Sequence, residues 1–233
     1  MNINASRFVI EINNNNHDMA AILMLKEAVN ICKEMKLGRI TLLVPAKKTF
    51  PGTRAGVIID DVIGSGASKS LCSGNMIDLD GIKLHLESID TFSVYNEYEL
   101  LVSIYLSKGL DVFDAPSRVA ALIYLPWIES EGKAWLSTWD AKVLGHKTWQ
   151  CEPLQLDEPV VEALQDLTRS INLSTGLIND SDKKSALIMF ADFRKKKLHP
   201  DPEGIRRWAL RHGWEPKYAR ELARQAEIHL KHN

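Results

Sequence analysis

The sequence lacks the features that mark disulfide-rich, membrane-spanning and metal-binding proteins. It has three cysteines, Cys32, Cys72 and Cys151, an odd number at wide spacing that gives neither a disulfide framework nor a metal-ligand pattern. No run of about eighteen apolar residues is present, so no segment is predicted to span a membrane. The first residues do not follow the pattern of a signal peptide. We therefore expect a cytoplasmic protein with no membrane partner, no metal site and no cofactor.

The composition is that of an ordinary globular chain, but its charge is divided along the sequence. Apolar residues make up 45% and charged residues 25% of the 233 residues, which excludes a disordered or fibrous protein. Residues 183–233 carry 13 Lys and Arg against 6 Asp and Glu, whereas the first 182 residues carry 16 against 24. This division predicts two modules with different partners, or two modules that attract each other and pack.

Strand and helix patterns alternate through the first 150 residues. Apolar runs at 7–12, 39–45, 99–106 and 118–126 are typical of buried strands, and helical spacing occupies 17–36 and 131–139. Asp80-Gly81 separates two alternating runs within 76–86, which predicts an antiparallel hairpin. We expect residues 1–150 to form an α/β domain with a Rossmann-like, mostly parallel sheet and one antiparallel hairpin.

Strand patterns stop after residue 150. Four segments have helical periodicity, at 156–171, 182–197, 202–211 and 216–231. Pro202 and Pro216 suit the first turn of a helix, where the missing N–H is not needed. The sequence therefore predicts an all-α module over 151–233, with the polar stretch 172–182 as the joint between the two parts of the chain.

The stretch GVIIDDVIGSGAS, residues 56–68, has an apolar run, two aspartates and a small-residue loop. Over about a dozen residues it resembles the phosphoribosyl-pyrophosphate loop of phosphoribosyltransferases. The resemblance implies that Asp60 and Asp61 hold ribose hydroxyls and that the backbone N–H groups of residues 64–68 cradle a phosphate. The short spacing after the strand at 39–45 favours another interpretation, in which residues 57–71 form an irregular helix that ends at Gly74.

Polar residues follow the strands at the edge where open α/β sheets bind ligands. A small residue and then lysine follow two strands, as in VPAKK and YLSKG, and lysines near helix N-termini are typical of sites for phosphate-bearing molecules. Trp127 could stack on a base. The candidate ligand-binding residues are Asn13, His17, Lys47, Lys48, Ser107, Lys108, Trp127 and Lys133. The alternative is that these lysines are ordinary solvated loop residues.

Four tryptophans, at 127, 135, 139 and 149, lie within 23 residues. Such a cluster is typical of a core or an interface between modules, and the alternative is a surface for base stacking or a protein partner.

The C-terminal helices are basic and include the outline of a helix-turn-helix around Gly213-Trp214. The candidate nucleic-acid-binding residues are Arg194, Lys195, Lys196, Lys197, Lys217, Arg220 and Arg224. Glutamates share the last helix, and its alanines and leucines form an ordinary core stripe, so a helical module that packs or docks a protein is the alternative.

Three functions follow from these patterns. The first is a ligand-binding or scaffolding protein, with an anion or nucleotide site at the strand ends and a basic helical tail that binds nucleic acid or a protein. The second is an enzyme of nucleotide or phosphoribosyl transfer that uses Asp60, Asp61 and Lys108. The third is a structural interaction module whose interface is the tryptophan cluster. The sequence leaves open whether the protein is an enzyme.

Overall fold

The computed structural model describes residues 5–13, 16–93, 98–106, 119–146, 148–151, 153–173 and 175–230, and the side chain of Tyr98 is not described. The chain divides into two compact units, Met1–Cys151 and Glu152–Asn233. The polar stretch 172–182 lies within the second unit. Among the described residues, no helix combines the length and the apolar character needed to cross a membrane.

The first unit alternates strands and helices. Its strands are β1 (Ser6–Ile10), β2 (Arg39–Val44), β3 (Ile77–Leu79), β4 (Ile82–Ser88), β5 (Tyr98–Ile104), β6 (Val119–Leu125) and β7 (Lys142–Leu144). Its helices are α1 (His17–Met35), α2 (Arg54–Ile63), α3 (Ala67–Cys72) and α4 (Glu129–Trp139), and a 3₁₀ turn, Phe50–Gly52, precedes α2.

The seven strands form one sheet in the order β3-β4-β2-β5-β6-β1-β7. Every neighbouring pair is parallel except β3 and β4, where Ile77 lies opposite Leu84 in an antiparallel pair. The centre of the sheet is completely buried: Leu42 of β2, Leu100 of β5 and Ile123 of β6 have no exposed surface. Helices must cover both faces of such a sheet, which explains the continuous apolar runs of its strands.

The helices of the first unit pack on this sheet through their apolar stripes. Helix α1 contacts β1, β2, β5 and β6 and buries Met24, Ala28 and Cys32, while α4 contacts β1 and buries Trp135. The connection β1-α1-β2 and the connection β6-α4-β7 run across the sheet in opposite directions. Because such crossovers are right-handed, the two helices lie on opposite faces.

A side-chain hydrogen bond caps the start of helix α2. Its N-cap, Thr53, accepts a hydrogen bond from the Gly56 N–H at 3.1 Å, which satisfies one of the free donors of the first turn. Gly56 is buried so close to the preceding 3₁₀ turn that a Cβ there would lie 2.1 Å from the Phe50 carbonyl oxygen. Glycine is therefore required at position 56 for α2 to fold back onto the 3₁₀ turn.

The second unit is a set of helices with its own aromatic core. They are α5 (Glu158–Ser170), α6 (Asp180–Lys195), α7 (Pro202–Arg211) and α8 (Pro216–Leu230). Phe190, Trp208 and Trp214 are buried, and the Trp214 indole N–H donates to Thr168 Oγ1 at 2.9 Å. Asp201 caps α7 by accepting from the Gly204 N–H at 3.1 Å, just before Pro202.

The structure confirms the predicted fold class: a mostly parallel sheet with one antiparallel pair, followed by an all-α module. Three local predictions need correction. Residues 57–63 are helical in α2, so the strand that a phosphoribosyl-pyrophosphate loop requires is not there. The irregular helix predicted over 57–71 is two helices, because Gly64 at φ 140° ends α2 and the chain turns before α3. Helix α1 ends at Met35, one residue before the predicted end at residue 36, because Lys36 takes the left-handed conformation.

Candidate ligand-binding site

Strand order places a crevice at the carboxyl ends of β2 and β5. These strands are neighbours, but from β2 the chain continues to β3 and β4 on one side, whereas from β5 it continues to β6 on the other. Connections that leave adjacent parallel strands in opposite directions leave a gap beyond the strand ends. Ligands of open α/β sheets bind at such a point, and the structure has a pocket there.

The pocket has a volume of about 260 Å³ and opens between the two strand ends. Val44 of β2 and Ile104 of β5 form its floor, and the segment that follows β2 forms one wall. The remaining lining residues are Pro45, Ala46, Thr49, Phe50, Thr53, Arg54, Ala55, Tyr105 and Trp127. Arg54 and Ala55 begin α2, and the N-terminal end of a helix favours negative charge.

An aromatic cluster borders the pocket. The Trp127 ring lies 4.8 Å from Tyr105 in an edge-on arrangement, and 4.9 Å from His17 in a tilted one. The Tyr105 and His17 rings are 6.0 Å apart. Trp127 is still 47% exposed, so much of its indole surface remains open to a ring that enters from solvent.

One ion pair lies beside this cluster. Arg54 Nε donates to Asp18 Oδ1 in a very short contact that joins the start of α2 to the first turn of α1. Its hydrogen bond to Arg54 lowers the pKa of Asp18, and the same bond raises the pKa of Arg54. Both groups are therefore charged at neutral pH.

Tyr105 stands out in both backbone and side chain. It follows the last residue of β5 and has a φ of 55°, an uncommon value for a residue with a bulky side chain. Burial raises the pKa of its phenol, with Arg54 acting to lower it and Asp18 to raise it, so both charges lie within electrostatic range of the hydroxyl. The phenol stays neutral at physiological pH and can donate or accept a hydrogen bond.

Two buried polar atoms of the cluster have no hydrogen-bond partner within the described part of the chain. They are the Tyr105 hydroxyl oxygen and His17 Nδ1. Leaving a buried polar atom unsatisfied costs about 1–3 kcal/mol, so native proteins rarely keep such atoms without a reason. Of the two residues, Tyr105 lines the pocket, and His17 contacts the lining residue Trp127.

The structure brings together some of the predicted ligand-binding residues and separates others. Trp127 lines the pocket, and His17 contacts Trp127 without lining the pocket itself. Lys47 and Lys48 do not line it; Lys47 is half-buried, and its charge helps to lower the pKa of His85 on β4, after the larger effect of burial. Lys133 pairs with Glu129 at 2.6 Å one helical turn away.

The other predicted residues are not at the pocket or cannot be placed. Asn13 is exposed, and its N–H donates to Asn16 Oδ1 at 2.8 Å. Ser107 and Lys108 lie outside the described residues. Among the described residues, no lysine lines the pocket at this edge, and the lining cation is Arg54.

Asp60 has a structural role rather than the sugar-binding role that the resemblance implies. Its carboxylate accepts the Ser68 N–H at 2.7 Å and the Ser68 hydroxyl at 2.8 Å. These hydrogen bonds lower its pKa. They tie the end of α2 to the start of α3, while Asp61 is exposed on α2.

The four clustered tryptophans separate into different environments. Trp135 and Trp149 are core residues, 5% and 7% exposed. Trp139 is half-buried, and the Arg7 guanidinium lies 3.9 Å above its ring. Trp127 alone of the four is exposed, so the cluster does not form one continuous aromatic surface.

In the second unit, acidic neighbours accompany several of the predicted nucleic-acid-binding residues. Lys196 pairs with Asp192 at 2.9 Å, and Arg224 pairs with Glu221 at 2.7 Å. Lys217 lies 3.6 Å from Glu215, and Arg220 lines a groove between α7 and α8 that Glu203 and Glu227 share. Three further cations are exposed at or just after the end of α6: Arg194, Lys195 and Lys197. They have no ion-pair partner in the part of the chain that is described.

The described residues hold no cluster of three or more His, Cys, Asp or Glu side chains able to bind a metal ion. Comparison with curated proteins finds no match, and comparison with solved structures finds none either. Residues 156–232, which are nearly the whole of the second unit, match a protein family described as a domain of unknown function, DUF1889.

Proposed function

We propose that the first unit binds a small planar molecule in the pocket between the ends of β2 and β5. The observation that carries this proposal is that an exposed indole and Tyr105 line the pocket at the switch point, and the buried Tyr105 hydroxyl has no hydrogen-bond partner among the described residues. Within the same part of the chain, Nδ1 of His17, which contacts the indole, also has none. Fold position, an aromatic surface and unsatisfied polar groups are three independent properties of ligand sites. Here all three occur together.

The size of the pocket limits the ligand. Pockets for drug-sized molecules have volumes of about 300–1,000 Å³, and this one has about 260 Å³. A single ring system with one polar substituent fits that space. Phe50 and Ile104 provide the apolar contacts that such a ring requires, while Thr49 and Arg54 add polar side chains to the lining.

A screen of ring-containing fragments by ligand-observed NMR tests this proposal. We expect binding of planar fragments by the full chain and its loss in the Trp127→Ala variant. The matched control is Ile128→Ala, because Ile128 is the next residue, is similarly exposed at 48%, and does not line the pocket. Binding that is equal in both variants, or absent from the unmodified chain, would contradict the proposal.

A second candidate function is nucleic-acid binding by the second unit. The exposed cations at 194–197 favour it. They lie at and just after the end of α6, and the two-helix segment α7-turn-α8 follows them in the sequence. The neighbouring acidic residues limit the net positive charge that α8 can offer to phosphates. The salt dependence of binding to a DNA duplex tests this candidate.

A further inference from the structure

We propose that Arg54 exchanges Asp18 for an anionic group of the ligand, so that the ligand class is an aromatic ring bearing one carboxylate or phosphate. This inference rests on the proposed function and specifies its substrate class. Before the ligand binds, Asp18 would act as the internal counterion of Arg54, and the ligand would displace it.

The ion pair is placed so that such an exchange is possible. Arg54 lines the pocket, whereas Asp18 does not. Asp18 lies in the first turn of α1 and Arg54 begins α2, so the ion pair joins a residue of the pocket lining to a residue outside it. An anion in the pocket would meet the same cation without any movement of the backbone.

Breaking the Arg54–Asp18 ion pair should also cost little free energy. The side chains of Arg54 and Asp18 are 48% and 56% exposed, and exposed ion pairs contribute little to stability. Arginine presents five N–H donors, so it can bind a carboxylate or phosphate through two of them at once. When Asp18 is released, its carboxylate is already in contact with solvent and needs no new partner.

The other groups of the pocket complement an anionic ring. The ring would lie against Trp127, and the neutral Tyr105 hydroxyl would donate to an oxygen of the acid group or to a ring substituent. Among the described residues, the pocket lining contains no acidic side chain. Asp18 is the negative charge paired with Arg54, so the ligand competes with it.

Probe pairs, each made of an anionic ring compound and a neutral analogue, test this inference. We would measure dissociation constants at neutral pH for benzoate and benzamide, indole-3-carboxylate and indole-3-carboxamide, and phenyl phosphate and phenol. In at least one pair, the anion should bind more tightly than its neutral partner. The carboxylate and phosphate pairs distinguish the two kinds of acid group.

Two variants and one control isolate the exchange. In Arg54→Gln, the preference for the anion should fall by about tenfold or more, as expected for a lost charge-assisted hydrogen bond. In Asp18→Asn, the anion should bind about two- to fivefold more tightly, because the competing carboxylate is gone. The control is Asp80→Asn, which removes the acid of another exposed ion pair, Lys33–Asp80 at 3.2 Å, and should change neither member of any pair.

The outcomes separate this inference from the function on which it rests. If neutral rings bind as tightly as their anions, or Asp18→Asn does not strengthen anion binding, the exchange is wrong while the pocket remains a ligand site. If no probe of any pair binds the unmodified chain, both proposals fail. Thermal melting of each variant would confirm that it is folded before its binding is interpreted.

Discussion

Tyr105 meets Trp127 edge-on, with ring centroids 4.8 Å apart, directly after β5 and at a backbone φ of 55°. A bulky residue in this conformation costs of the order of 1–3 kcal/mol and persists only where surrounding structure holds it. The strain therefore lies at the same residue whose hydroxyl is buried without a partner in the described part of the chain. Such a coincidence is expected at a binding site and is hard to explain by packing alone.

The first prediction separates stability from binding at Tyr105. Because its hydroxyl is buried and has no hydrogen-bond partner among the described residues, Tyr105→Phe should leave the free energy of unfolding unchanged or raise it by about 1 kcal/mol. Ligand affinity should fall. Thermal melting and titration of a bound fragment measure the two effects.

The control for this prediction is Tyr124→Phe. The Tyr124 hydroxyl is also buried, but it donates to the Leu106 carbonyl oxygen at 3.5 Å, so its loss should lower stability and leave binding unchanged. A clear loss of stability in Tyr105→Phe would show that the Tyr105 hydroxyl has a structural partner, and the argument for a ligand would lose that support.

The second prediction concerns the backbone that positions Arg54. A methyl group at position 56 would meet the Phe50 carbonyl at 2.1 Å, and neither backbone segment can yield as a flexible side chain would. Gly56→Ala should destabilise the protein by about 1–3 kcal/mol and weaken ligand binding. Gly52→Ala is the matched control, since a Cβ there has nothing within 4 Å. Equal melting temperatures for the two variants would contradict the close approach of α2 to the 3₁₀ turn.

Much of the fold could be predicted because its elements have simple periodicity. The buried strands β2, β5 and β6 are continuous apolar runs, and Asp80-Gly81 marks the turn between β3 and β4. Strand β7 has only three residues, Lys142–Leu144, which is too short for a pattern to be recognised. The order of the strands could not be predicted, since it depends on which apolar faces pack together.

Part of the candidate site could be predicted from the positions of residues at strand ends. The rule that ligands bind at strand ends pointed to His17 and Trp127, which do lie together. It also pointed to Lys47, which does not line the pocket. The charge of Lys47 instead affects His85. The sequence could not show this, because the direction of the Lys47 side chain depends on the turn after β2. Arg54 was not among the predicted residues, and the signal that could have located it is Thr53, which is a recognisable helix cap.

The third prediction concerns Asp60, whose two hydrogen bonds to Ser68 hold α3 against α2. Asp60→Asn should lower the melting temperature, because an amide cannot replace a carboxylate in accepting both bonds equally well. Ligand binding should not change. Asp61→Asn is the control, since Asp61 is exposed on the same helix and should alter neither property.

The same hydrogen bonds predict a pH dependence. Because Ser68 lowers the pKa of Asp60 below its ordinary value of 3.8, the folded state favours the ionised carboxylate. Its contribution to stability is therefore complete above pH 3.8 and is lost as the pH falls below that value. Acid unfolding of the Asp60→Asn variant should lack this part of the loss. Identical acid profiles for the variant and the unmodified chain would show that the hydrogen bonds are absent in solution.

The fourth prediction tests nucleic-acid binding by the second unit through its salt dependence. If Lys195 and Lys197 each neutralise one phosphate, changing both to Ala should reduce the slope of log K against log salt by about 2. The control is the double variant Lys183→Ala and Lys184→Ala, which removes the same charge from the other end of α6, where both lysines are also exposed. An equal reduction in both variants would indicate attraction by net charge alone. A slope that neither variant changes would remove α6 from any contact with DNA.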